Sequence, residues 1–162
     1  MKTLTIRQPW ASLVALGVKT IETRSWSTKY RGPLAIHAGK HLIDNDEYYL
    51  WHRALDKNGI TNALDRWAYG AVVSTCELVD VVPIIEFPSH IPYDVSIWIE
   101  VDGPRLTLQE TLGHFTDISD QLPYGDFSPG RFAWILSDIK PLAVPIPAKG
   151  KQGLWELEME VA

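Results

Sequence analysis

The stretch GAVVSTCELVDVV, Gly70 to Val82, does most to limit what this chain can fold into. It is rich in β-branched residues, ends at Pro83 and is too apolar for a strand with one wet face. That pattern predicts a strand covered in part on both faces. Shorter candidates surround it: LTIRQP (Leu4–Pro9), KTIETRS, GPLAIHAG (Gly32–Gly39) and a segment that starts at Arg131 after a Ser-Pro-Gly turn. VSIWIEV, Val95 to Val101, reads as a strand or a buried edge. In LWELEMEV, Leu154 to Val161, Trp155, Leu157, Met159 and Val161 share one face, and Glu156, Glu158 and Glu160 the other. Helix is expected in WASLVALG, with Pro9 at its start and Gly17 at its end, and in residues 41–55. NGITNALDRW reads as a turn with a short helix, LTLQETLGHF as a short helix, and PLAVPIPAKGKQG as an ordered irregular connection. The sum is one α+β domain, residues 1–162, with a mostly antiparallel, barrel-like sheet and flanking helices.

Charge and composition narrow the function. Of 162 residues, 46% are hydrophobic, enough for a core, and the formal net charge is −5. That balance disfavours extended duplex binding and leaves a small ligand or a few nucleotides. Cys76 is the single cysteine, so neither an intrachain disulfide nor a cysteine-based zinc site is available. No run of about 18 apolar residues marks a membrane span. A cytoplasmic setting is expected, and the oligomeric state stays open. Most of the seven tryptophans are expected in the core, with some available for stacking on a base.

The segment GVKTIETRSW packs Lys19, Glu22 and Arg24 into ten residues. In a regular strand Thr20, Glu22 and Arg24 share a face, and a surface Glu22–Arg24 pair of that kind contributes little. A chemical role requires Lys19 in a turn, which Gly17 permits, so that a buried ammonium and a carboxylate serve as electrophile and general base. At the strand-to-helix corner Arg7, Gln8, Pro9 and Trp10 are either structural or ligand-binding, with Gln8 able to read a base edge. His37 and His41 are four apart, but Gly39 argues against the helix a metal site needs; no metal or cofactor is expected. Lys149 and Lys151 flank Gly150 in a loop without Walker spacing, either solvated or contacting ribose or phosphate. Cys76, in a buried strand, is a poor nucleophile.

The opening LTIRQPWASLVALGVKTIETRSW resembles that of the ASCH domain family. Its Gly-x-Lys-x-x-Glu-x-Arg pattern is matched by Gly17, Lys19, Glu22 and Arg24, and RQPW precedes it. The tail SPGRFAWIL…PIPAKGKQGLWEL is similar to bacterial and phage members; residues 83–125 fall outside the resemblance. It implies a PUA-like β-barrel with flanking helices, a cleft beside the motif, and a nucleoside, modified cytosine or single-stranded RNA as ligand. Some small bacterial members are metal-independent amidohydrolases that remove acyl groups from N4-acetylcytidine with a lysine, a threonine and a glutamate. Their lysine matches Lys19, but their threonine position holds Glu22, so Thr20 or Thr23 would have to supply any hydroxyl nucleophile. Other members bind or cleave RNA. The expectation is an amidohydrolase on N4-acylcytidine, with Lys19, Glu22, Arg24 and Thr20 catalytic and Arg7, Gln8, Pro9, Trp10, Trp26, His37, Arg131, Lys149 and Lys151 binding substrate. The alternative is an RNA-binding module in which Lys149, Lys151 and Arg131 hold phosphates.

Overall fold

A computed structural model describes residues 1–42, 44–60, 68–84, 98–99, 106–107 and 121–158. The fold is α+β. Its strands are β1 (Lys2–Ile6), β2 (Ile21–Arg24), β3 (Gly32–Ala38), β4 (Ala71–Pro83), β5 (Trp98–Ile99), β6 (Leu106–Thr107), β7 (Phe132–Pro147) and β8 (Leu154–Glu156). Its helices are α1 (Trp10–Ala15) and α2 (Asn45–Lys57). Six strands hydrogen-bond in the order β2-β7-β4-β3-β1-β8, and β5 pairs with β6. The β1–β3 pair is parallel, Lys2 opposite Leu34, whereas β1–β8 and β2–β7 are antiparallel. No helix among the described residues is long and apolar enough to cross a membrane.

The chain forms two compact units. The first comprises Met1–Thr20, Gly32–Glu77 and Ser137–Ala162; the second comprises Ile21–Arg31 and Leu78–Leu136. In the first, Leu4, Ile6, Leu34, Ile36, Leu13 and Trp51 are almost fully buried. The segment read as the dominant strand is β4, and its first six residues, Ala71 to Cys76, are all buried, as its double-sided apolar pattern requires. In the second unit Ile21, Val82, Ile84, Ala133 and Ile135 form an apolar cluster, with Leu122 and Phe127 packed on it.

Pro9, at the start of the short helix α1, supplies no side-chain cap, but the helix is sharply ended. Gly17 adopts φ +73°, its N–H donates to Val14 O at 2.8 Å, and Val18 N–H donates to Leu13 O at 3.0 Å. This is the Schellman arrangement, and it satisfies carbonyls that the helix itself leaves unpaired. Lys19 N–H adds a second bond to Leu13 O at 3.1 Å, so the turn continues through Lys19 and β2 begins only at Ile21. Lys19 therefore sits in a turn and not in the strand.

Two element boundaries differ from expectation. Helix α2 starts at Asn45 and not at 41, because Asp44 and Glu47 form a capping box: Asp44 Oδ1 accepts from Glu47 N–H at 2.9 Å, and Glu47 Oε2 from Asp44 N–H at 3.0 Å. The segment read as an irregular connection from Pro141 is instead the second half of β7, as far as Pro147. Its prolines stand at 141, 145 and 147, all odd positions, while Ala148 N–H donates to Gly70 O on the β4 side. Residues two apart send their N–H groups to the same side, so the prolines place their donor-free nitrogens away from β4. On that side, among the described residues, β2 pairs with Phe132–Ile135. The prolines thus leave few N–H donors on that side of the strand. Of LTLQETLGHF, read as a short helix, only Leu106–Thr107 are described, and they form strand β6; the rest of that segment, most of NGITNALDRW and the end of LWELEMEV lie outside the described residues.

A Cβ at Gly17 would meet nothing within 4 Å, so substitution there isolates backbone strain from crowding. Gly17→Ala is expected to lower unfolding stability by about 1–2 kcal/mol, the cost of a left-handed alanine. Urea denaturation should show the lowered midpoint at unchanged slope.

Candidate functional site

In the first unit the residues singled out by sequence form two groups. At the corner between β1 and α1, the Gln8–Pro9 peptide bond is cis. Gln8 is fully buried: its Nε2 donates to Ser12 Oγ and Ala68 O, both at 2.8 Å, and its Oε1 accepts from Ser12 N–H at 3.1 Å. Both amide hydrogens are engaged inside the corner, so Gln8 shapes it and does not present them to a base. Arg7 donates to Glu47 Oε1 at 2.7 Å, which ties the end of β1 to the capping box of α2. Trp10 is the half-buried first residue of the helix.

The second group surrounds His37 on β3. His37 is 1% exposed, with Nε2 3.1 Å from Ala148 O, which makes this nitrogen the N–H donor. Its ring stands edge-on to Trp155, centroids 5.8 Å apart. Trp155 Nε1–H donates to Thr5 Oγ1 at 3.1 Å, and Thr5 Oγ1–H donates to Lys151 O at 3.0 Å. The Lys151 ammonium lies 5.6 Å from the Trp155 ring centroid, within cation–π range. Gly150 closes over the imidazole: a Cβ there would come within 2.5 Å of His37 Cε1 and 2.9 Å of Nδ1. Its φ is not positive, so glycine is required here by space alone. The structure thus brings His37, Lys149 and Lys151 together, with His37 beneath the loop and not exposed as a donor for ligand.

Lys19 follows the helix turn with 0% exposure. A lysine is almost never fully buried without compensating interactions, and such residues concentrate at functional sites. Thr20 beside it is half-buried.

In the second unit Glu22 is 8% exposed, and Arg24 Nε lies 3.0 Å from Glu22 Oε1. The two are neighbours on one face of β2, as alternation predicts, but the carboxylate is buried and not a surface partner. Glu22 stands opposite Trp134, whose Nε1–H donates to Trp26 O at 3.3 Å; the Trp26 and Trp134 rings meet edge-on at 4.7 Å. Thr23, on the opposite face, uses its hydroxyl oxygen to accept from Asp126 N–H at 3.1 Å. Arg131, grouped with Lys149 and Lys151 on sequence, belongs to this unit instead: it donates to Thr23 O at 3.4 Å and pairs with Asp126 at 3.4 Å. The Ser128 hydroxyl and N–H both donate to Asp126 Oδ1 and hold its carboxyl below the usual range. Burial pushes the Cys76 thiol up to about 12, which removes it as a nucleophile.

Thr5, Trp155, Glu47 and Asp126 support these groups and were not singled out on sequence. Asp44-x-x-Glu47 and Asp126-x-Ser128 are local capping and turn patterns that could have been found; the Thr5 and Trp155 contacts are long-range and have no local signal. A cavity of about 280 Å³ in the first unit is lined by Ser12, Leu16, Trp51, Val73, Leu142 and Pro145, among others, and by none of the proposed ligand or catalytic residues. No cluster able to hold a metal ion occurs among the described residues.

Burial holds the pKa of His37 below its ordinary value; the Lys40 charge adds to this and the bond to Ala148 opposes it. Between the lowered value and 6.5 the unfolded chain binds a proton that the native protein does not. Stability from His37 is therefore full above pH 6.5 and lost as pH falls through that window. Denaturant midpoints measured from pH 7.5 to 5 should decline, and His37→Gln should flatten the decline.

Comparison with known proteins places the chain. The ASCH domain model matches residues 4–109. The chain is 26% identical over 161 residues to activating signal cointegrator 1 of Mus musculus and of Homo sapiens, covering 98% of this chain but only 22% of those proteins. An ASCH structure from Zymomonas mobilis aligns with TM-score 0.48 and 15% identity, over 97% of this chain and 87% of that one. The family match covers well over half of the sequence and includes the Gly17, Lys19, Glu22 and Arg24 pattern: this chain belongs to the ASCH domain family, whose members in general bind RNA or nucleotides.

Proposed function

We propose that the protein is a metal-independent amidohydrolase that removes acyl groups from N4-acylated cytidine, with Lys19 and Glu22 as its acid–base residues. The observation that carries this reading is the burial of both: a lysine with no exposed surface, held in a helix-ending turn, three positions before a buried carboxylate that an arginine holds at 3.0 Å. A structural surface ion pair needs neither burial nor the turn.

The reaction follows from these groups. Glu22, positioned by Arg24, takes a proton from water as its oxygen attacks the acyl carbonyl. The Lys19 ammonium stabilises the oxyanion and donates a proton to the departing N4 nitrogen. The bond between the acyl carbon and N4 breaks, and a carboxylic acid and cytidine leave. Water, and not a threonine, is the nucleophile in this scheme: position 22 carries a carboxylate, and the Thr23 hydroxyl is bonded to the Asp126 backbone. Thr20, half-buried beside Lys19, is a positioning residue. Trp26 and Trp10, both half-buried, are the aromatic surfaces offered to the base.

A binding-only role for single-stranded or modified RNA is the competing reading, and it rests on the general ligand class of the family. Incubation with N4-acetylcytidine should release cytidine and acetate. Lys19→Ala and Glu22→Gln are each expected to reduce kcat by about 10²-fold or more. Full turnover in both variants contradicts the assignment, and no turnover by the parent protein favours binding alone.

A further inference from the structure

The cavity of about 280 Å³ in the first unit has no part in the proposed hydrolysis. We propose that it is a binding site for an uncharged two-ring aromatic molecule that carries one hydrogen-bond acceptor, of the aryl ketone kind. The proposal goes beyond the hydrolytic reading and does not depend on it.

Three features of the walls set the class of ligand. The first is a closed floor beneath an open mouth. Ser12, Trp51 and Val73 line the cavity with 5%, 0% and 7% exposure, whereas Pro141, Ala143 and Pro145 line it and are exposed. Helices α1 and α2, strand β4 and the far half of β7 each supply a wall, and all the lining residues belong to the first unit. The second feature is the lack of charge. None of the described residues that line the space is ionisable, so an ion placed there would lose its hydration without gaining a partner. Pro141 and Pro145 have no N–H, so the β7 backbone brings no unpaired donor to the mouth at those positions.

The third feature is a single hydroxyl on the floor. Ser12 Oγ accepts from Gln8 Nε2 at 2.8 Å, and among the described residues no acceptor takes its own proton. Gln8 is itself fixed, by Ala68 O and by Ser12 N–H. The hydroxyl oxygen is therefore held in place before a ligand enters, which limits the ordering cost of binding.

Size and pairing select the occupant. An apolar cavity of about 150 Å³ takes one benzene ring. The volume here suits two fused rings with a short substituent. Flat, rigid rings can pack against the Trp51 indole and lose little freedom on entry. A carbonyl oxygen on the substituent receives the Ser12 proton. A nucleobase is disfavoured, because its edge carries several donors and acceptors and most of them would be buried unpaired.

Equilibrium dialysis of the protein against 2-acetylnaphthalene and against 2-ethylnaphthalene reads this site without turnover. Both should bind saturably, the ketone more tightly by about 3–10-fold, the worth of one hydrogen bond. Ser12→Ala should remove that difference and leave the affinity for 2-ethylnaphthalene unchanged. Ala143→Phe, at an exposed position, fills the mouth and should prevent saturable binding of both while cooperative unfolding persists. Equal weakening of the two ligands in Ser12→Ala, undiminished binding in Ala143→Phe, or no saturable binding by the parent overturns the proposal. So does displacement of the ketone by cytidine. Loss of ketone binding as the protein dimerises at high concentration would assign the mouth to a contact between copies, and overturns it as well.

Discussion

The carbonyl of Leu13 accepts from both Val18 and Lys19 N–H, and the placement of the motif depends on that double acceptance. It ends α1 after six residues and turns the chain back at Gly17, where φ is +73°. The next side chain but one, Lys19, is delivered into the interior, and β2 starts two residues later. A side chain with the strongest preference for water is thus buried by backbone geometry, not by its own affinity for the site. The Gly-x-Lys spacing of the family pattern has a direct physical meaning: glycine makes the turn, and the turn buries the lysine.

A second glycine works by a different route. At Gly150 the backbone torsion would suit any residue, but the His37 ring leaves no room for a side chain. The two cases separate conformational from steric need for the same residue type. They also give the two lysine sets opposite environments: Lys19 is enclosed, whereas Lys149 and Lys151 are exposed on a loop anchored through its own carbonyls. One lysine is thus enclosed by protein, and the others stand open to solvent.

The sequence made β3 and β4 legible because bounded apolar runs with β-branched residues have few other uses, and it made the end of α1 legible through Gly17. The extent of β7 was hidden by Pro141, Pro145 and Pro147, which read as breakers until their common parity is set against the Ala148–Gly70 bond. The start of α2 was available in Asp44 and Glu47 but was masked by the apolar residues before it. For the site, the Lys19, Glu22 and Arg24 pattern was visible in one short segment. The company of Arg131 was not, since its partners Thr23 and Asp126 are joined to it only by folding. Gln8 and His37 looked like ligand donors because their chemistry fits a base; the fold uses those donors on Ser12, Ala68 and Ala148.

The burial of Lys19 can be measured without knowledge of any ligand. Brief acetylation of the native protein with a water-soluble reagent, read lysine by lysine by mass spectrometry, compares Lys19 with Lys40, Lys149 and Lys151 in one sample. The account predicts rapid labelling of those three and protection of Lys19, with protection lost in denaturing urea. Labelling of Lys19 in the native state as fast as that of Lys149 would contradict it.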